Sequence, residues 1–172
     1  MKKNYTITTI LVAFLFIGTG SNTASAQSLL AGAVYGTDSD LGLKLGGYFP
    51  VAELILVGGD FIYFFPDGFD MYEVNINGLY LLPVEAVQLH GIVGLNYTSF
   101  SFDGSDLCDG LGGFGISSDI CSASSSDIGL NIGGMASFGS GPLGFFVDAK
   151  FVIGGGEQLE VGGGIKYLLG DS

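Results

Sequence analysis

Residues 158–169, QLEVGGGIKYLL, set Leu159, Val161, Ile165, Tyr167 and Leu169 against Gln158, Glu160 and Lys166. Side chains of a β-strand point alternately to its two faces, so a period of two with opposite chemistry on alternate residues predicts a strand between two different solvents. Glycines 162–164 interrupt the pattern without shifting its phase.

The same alternation recurs seven more times. Strands are expected at Leu29–Gly36, Leu41–Phe49, Leu54–Phe65, Met71–Leu82, Val87 to about Phe100, Ile128–Phe138 and Leu143–Ile153. One face carries residues such as Leu41, Leu43, Leu45, Ile55, Val57, Tyr72, Val74, Ile76, Val93 and Leu95. Turn-forming segments separate them: Thr37-Asp38-Ser39-Asp40 and Pro66-Asp67-Gly68-Phe69-Asp70 toward one end, and Pro50–Glu53, Pro83–Ala86 and Gly139–Pro142 toward the other.

Composition points the same way. Charged residues make up 13% of the chain, about half of what a soluble domain carries, while 48% is hydrophobic and 31 residues are glycine. That apolar content is spread over short alternating segments, which is how a membrane-spanning β-barrel reads. The fold expected is all-β: an eight-stranded, antiparallel, up-and-down transmembrane β-barrel. Eight is an even number, as closure of a single-chain antiparallel barrel requires.

Residues 1–26 read as a cleavable signal peptide, with Lys2 and Lys3, an apolar run from about Ile7 to Ile17, and Ala24-Ser25-Ala26 before Gln27. The run is shorter than the ~20 apolar residues of a spanning helix. Residues 27–172 form the expected barrel domain, destined for the cell outer membrane. Without the leader, three lysines face 17 acids, a formal charge of −14 that disfavours nucleic acid and anionic surfaces as partners.

The leader, the eight strands, the Phe49-Pro50-Val51 and Leu82-Pro83-Val84 turns and the glycine-punctuated last strand resemble the small outer-membrane β-barrel families of the OmpA/OmpX type. The resemblance covers residues 27–172 and rests on pattern. It implies contact with outer-membrane lipid and lipopolysaccharide, and insertion by the β-barrel assembly machinery. Members of such families commonly end on an aromatic residue that this machinery reads; here Leu169 holds that phase, before Gly170-Asp171-Ser172.

Short turns face the periplasm and longer loops the exterior in such barrels, which would place both termini on the periplasmic side. Two aromatic girdles are expected. Tyr48, Phe49, Tyr80, Phe138, Phe145 and Tyr167 would form the periplasmic one, and Tyr35, Tyr63, Phe65, Tyr72, Tyr97 and Phe151 the outer one.

The phase puts Lys44, Asp60, Glu73, His90, Asp148, Lys150, Glu160 and Lys166 inside. Lys150 and Glu160 fall opposite each other, and Lys44 and Asp60 are diagonal neighbours. Charges in a narrow lumen persist mainly by pairing. Two readings follow: a plug of paired polar side chains in a structural or surface-interaction protein, or a narrow path for ions or small, even apolar, solutes. Eight strands leave an interior only wide enough for side chains, which favours the plug. Lumen-phase glycines at 42, 46, 58, 94, 129, 133, 162 and 164 favour residual space.

A long loop is expected at about 101–126, holding Cys108 and Cys121, the two cysteines of the chain, as a disulfide-pinned knob that could meet an extracellular ligand or as a mobile cover. Asp38, Asp40, Asp67, Asp70, Asp103, Asp106, Asp109, Asp119, Asp127 and Glu157 form an acidic outer rim. Asp103, Asp106 and Asp109 are weak divalent-ion candidates, because they lack the spacing of a calcium loop, and solubility explains such a rim equally. No metal site, cofactor or catalytic residue is expected. A lipid-modifying enzyme is the distant alternative, but His90 sits at the periplasmic end, and no Gly-x-Ser-x-Gly or His-Glu-x-x-His motif occurs.

Overall fold

The computed structural model describes residues 27–84, 87–103, 122–139 and 141–169. The signal-peptide segment and Cys108, Cys121, Asp106, Asp109 and Asp119 lie outside the described residues, as does the side chain of Asp103.

Eight strands run β1 (Gln27–Gly36), β2 (Asp40–Ala52), β3 (Ile55–Phe64), β4 (Asp70–Leu82), β5 (Gln88–Asp103), β6 (Ser122–Phe138), β7 (Leu143–Gly154) and β8 (Gln158–Leu169). Each pairs antiparallel with its sequence neighbour, and β1 pairs with β8 from Gln27↔Leu169 to Gly36↔Glu160, closing the sheet on itself. Closure satisfies every strand edge along the wall, the condition for a sheet to stand in hydrocarbon. Among the described residues there is no helix.

The burial pattern is inverted relative to a water-soluble protein. Val93 is 65% exposed on the outside while Glu160 is 0% exposed on the inside, and the same contrast holds around the wall. Leu43, Leu45, Ile76, Leu95, Leu130, Ile132, Val147 and Val161 cover the exterior. A surface of this kind is stable only against lipid, so the barrel is a transmembrane one.

Three strand ends differ most from the sequence expectation. β2 continues through Pro50 to Ala52, with a break in register between Pro50 and Ala52. A proline lacks the ladder donor, and an irregularity at the strand end accommodates that. More consequential, β5 and β6 extend into the expected loop and stay paired out to Asp103↔Ser122. Ala123 to Ile128 are all exposed. On this β6 segment both faces are solvent-exposed, whereas its partners Thr98 and Phe100 on β5 keep an inward face, so the serine-rich β6 sequence shows no alternation to read.

The connections also differ less between the two ends than expected. β1–β2 and β7–β8 are joined by three residues each, 37–39 and 155–157, as tightly as the turns at the other end. The connection 104–121 alone makes one end long. We call that the loop end and the opposite one the turn end.

Candidate functional site: the lumen

The lumen is layered. At the turn end Leu30, Tyr48, Leu79, Ile92, Met135 and Phe146 pack into one buried cluster. At the loop end Val34, Ile62, Phe64 and Met71 form another, with Phe69 and Phe100 against it. Between these two lids lies a belt of charge and amide.

Lys150 on β7 is the centre of the belt. Its Nζ stands 3.1 Å from Glu160 Oε2, 3.7 Å from Glu73 Oε2 and 4.0 Å from Asp60 Oδ1. The Glu160 contact follows from register, because Lys150 and Glu160 are direct cross-strand partners. The other two acids reach in from β3 and β4 across the lumen. One ammonium thus faces three carboxylates in a place where isolated charge is costly.

Amides and one hydroxyl hydrogen-bond two of those acids, Asp60 and Glu73. Asp60 accepts hydrogen bonds from Asn75 Nδ2 at 2.9 Å, Asn77 Nδ2 at 3.1 Å and Tyr48 Oη at 3.1 Å. Glu73 accepts from Asn96 Nδ2 at 2.8 Å and Gln158 Nε2 at 2.7 Å. Asn131 Nδ2 donates to the side-chain oxygens of both Asn75 and Asn77. The network ties strands from around the barrel together, so the polar groups fix one another's positions while they offset the desolvation of the buried charges.

Lys44 behaves differently from the sequence reading. It lies opposite Ile62, diagonal to Asp60, but its Nζ pairs across the barrel with Asp148 Oδ2 at 2.5 Å. Glu73, Asn75, Asn77 and Asn131 are fully buried; the alternation on β4 and β6 gives their inward phase, but an uncharged amide in that phase carries no signal of a shared network.

Tyr48 is a correction. Its place near a strand end reads as a girdle residue, yet it is 6% exposed and points inward, with its hydroxyl on Asp60. Gly58, its register partner, explains how the ring fits: a Cβ there would stand 2.8 Å from Tyr48 Cδ1. Gly46 is similar, since a Cβ would meet Asp60 Cβ at 2.8 Å. The lumen glycines are thus sites of close approach, which leaves little of the space expected of them. The free volume beside Lys44, Tyr48, Asp60, Asp148 and Lys150 is about 10 Å³. That suffices for about one water molecule.

The remaining expected girdle residues Phe49, Tyr80, Phe138, Phe145 and Tyr167 are exposed at the turn end, and Tyr35, Phe65, Tyr97 and Phe151 toward the loop end. Tyr63 and Tyr72 are half-buried there, with Tyr63 Oη donating to Asp70 Oδ1 at 2.7 Å. Among the described rim acids, Asp38, Asp40, Asp67, Asp70, Asp127 and Glu157 are all exposed. No group of three or more described His, Cys, Asp or Glu side chains is arranged to hold a metal.

His90 and Lys166 stand at the turn end, outside the belt. Lys166 Nζ donates across the mouth to Gln88 Oε1 at 3.2 Å. His90 is buried, and Ser137, opposite Gln88 and thus diagonal to His90, is a neighbour that sequence spacing does not reveal. His90 Nδ1 and Ser137 Oγ each lack a hydrogen-bond partner, so no nucleophile–base pair is formed.

No family model and no curated protein matches the chain. Among solved structures it is similar to the N-terminal β-barrel domain of Pseudomonas aeruginosa OprF, with a TM-score of 0.58, 12% identity, and 84% of this chain and 97% of that chain covered. Neisserial surface protein A (NspA) gives the same four values. A major outer membrane protein from Thermus thermophilus gives 0.55 and 15% identity, covering 86% of this chain and 100% of that chain. At such identities the likeness concerns the fold: this chain has the architecture of small eight-stranded outer-membrane β-barrels.

Proposed function

We propose that this chain is an exported, integral outer-membrane protein whose role is structural or interactive at the cell surface, and whose lumen is closed to solutes. Residues 1–26 act as the export signal. The turn end faces the periplasm, and the loop end, with residues 104–121, faces outward.

The observation that carries the closed-lumen reading is the layering: a cross-linked polar belt between two apolar lids, with about 10 Å³ of free volume at the level of Lys150. A hydrated ion passing through would have to displace Phe146 or Phe64 and break contacts of Lys150. Neither step has a compensating interaction in the lumen.

The surface role follows from what remains. β5 and β6 stay paired out to Asp103↔Ser122, and the acids at 38, 40, 67, 70, 127 and 157 are exposed. A Cys108–Cys121 bridge would order the segment above it, and carboxylates of the rim, Asp103, Asp106 and Asp109 included, would bridge to lipopolysaccharide through divalent cations. Insertion would require the β-barrel assembly machinery.

The test has two stages. Purified protein refolded in detergent should migrate differently before and after boiling, as closed membrane barrels resist detergent until heated. Unchanged mobility with soluble, detergent-free behaviour would end the membrane reading. Folded protein in a planar bilayer should then give no discrete conductance above the bare membrane; discrete openings would overturn the closed lumen and leave the barrel standing.

A further inference from the structure

At the turn end the rim of the barrel mouth holds a hollow of about 370 Å³, away from the belt and its network. Leu81, Val84, Val87 and Phe138 form its apolar side, and Gln88 and Ser137 its polar side. Three features there are unused by the closed lumen. Ser137 is 4% exposed and its Oγ has no hydrogen-bond partner, a costly state for a buried hydroxyl. Lys166 is half-buried and, among the described residues, its ammonium contacts no carboxylate. Gln88 accepts from Lys166 through Oε1, so Nε2 supplies the amide's remaining donors.

We propose that this hollow binds one anionic phospholipid from the leaflet at the turn end, with the phosphate against Lys166, Gln88 and Ser137 and the first part of an acyl chain against the apolar side. The proposal rests on the membrane reading above. Position identifies the occupant. Phe138, which lines the hollow, is exposed beside Phe145 and Tyr167, and exposed aromatics of this kind lie at headgroup depth. A phosphate is therefore the oxyanion most concentrated at this level. Charge identifies the lipid class: Gln88 and Ser137 supply donors from the lining, Lys166 brings one positive charge to its edge through Gln88, and the described lining residues include no acid. An apolar surface continuous with these donors fits an amphiphile better than a free ion.

The purified protein, first shown to be folded by its heat-dependent mobility, would be titrated in a non-ionic detergent with phosphatidylglycerol, with phosphatidylcholine of the same chains, and with inorganic phosphate, and read by native mass spectrometry. A single saturable phosphatidylglycerol adduct is expected, about tenfold preferred over phosphatidylcholine, the difference one charge-assisted contact confers. K166Q should abolish the preference, and V87W, which fills the hollow, should abolish the adduct; both should keep the mobility shift. Equal uptake of the two lipids, an adduct indifferent to both substitutions, or displacement by millimolar phosphate would overturn the proposal. Loss of the mobility shift in the unsubstituted protein would instead overturn the membrane reading.

Discussion

Lys150 and Ile132 stand at nearly one depth on neighbouring strands, since Lys150 pairs with Gly133 and Ile132 with Phe151. One points into the lumen and is 1% exposed; the other points out and is 56% exposed. Two successive positions along one ladder thus meet two different solvents. A lysine is indispensable in the first, where three carboxylates surround it, and would be unsolvated in the second.

The largest effect expected is that of Lys150→Met. It keeps the volume and leaves Asp60, Glu73 and Glu160 without their shared cation, so about 3–5 kcal/mol of stability should disappear. Urea unfolding in lipid vesicles, followed by the mobility shift, measures it. Tolerance of methionine would mean that the belt is wet and screened, and the contrast between the two faces would lose its electrostatic basis.

Ile132→Lys is the converse. A lysine on the lipid face costs about 2–4 kcal/mol at the bilayer midplane, and the same vesicle assay should register a loss in that range. A neutral result would place residue 132 away from the membrane core. The two substitutions together ask whether the faces differ through their surroundings alone, as the same side chain supports the fold on one and weakens it on the other.

Much of this was legible in the sequence because alternation reports a difference between faces. Where one face is lipid and the other holds Glu73, Asn75 and Asn77, the phase of β4 is unmistakable. The lids were not legible for the same reason. Leu79 follows Asn77 in the lumen phase but is as apolar as the residues outside, so the contrast vanishes at that point. Tyr48 misled because an aromatic near a strand end suits either an interface or a lumen, and only Gly58 beneath its ring decides between them. The partner of Lys44 was hidden because it lies across the barrel on β7, and cross-lumen distance is not encoded in hairpin register.

Leu79→Ala probes a lid without touching the belt. Removing a buried leucine typically costs about 2–5 kcal/mol, and a loss of about 2 kcal/mol is expected here, because the lid lies near the open end of the barrel and can relax. Conductance should stay at the baseline, since the belt still fills the lumen. Openings in this variant would show that the lid, and not the belt, closes the path. Tyr48→Phe touches lid and belt together: it removes the hydroxyl that donates to Asp60 and accepts from Asn77, at a cost of about 1 kcal/mol in the same unfolding assay.

The smallest effect locates the edge of the comparison. Ile128 lies on the outer face of β6 four residues above Ile132, about 13 Å along the strand, and is 72% exposed. It pairs with Tyr97 on β5, but β7 ends its pairing at Gly129, so the second neighbour is gone. If the lipid surface lies between these two isoleucines, Ile128→Lys should cost no more than about 0–1 kcal/mol, the value near an interface. The ratio between the two substitutions then measures depth on a single strand. A penalty at 128 equal to that at 132 would sink the ribbon into the membrane, and the solvated faces of Ala123 to Asp127 would have to be reassigned with it.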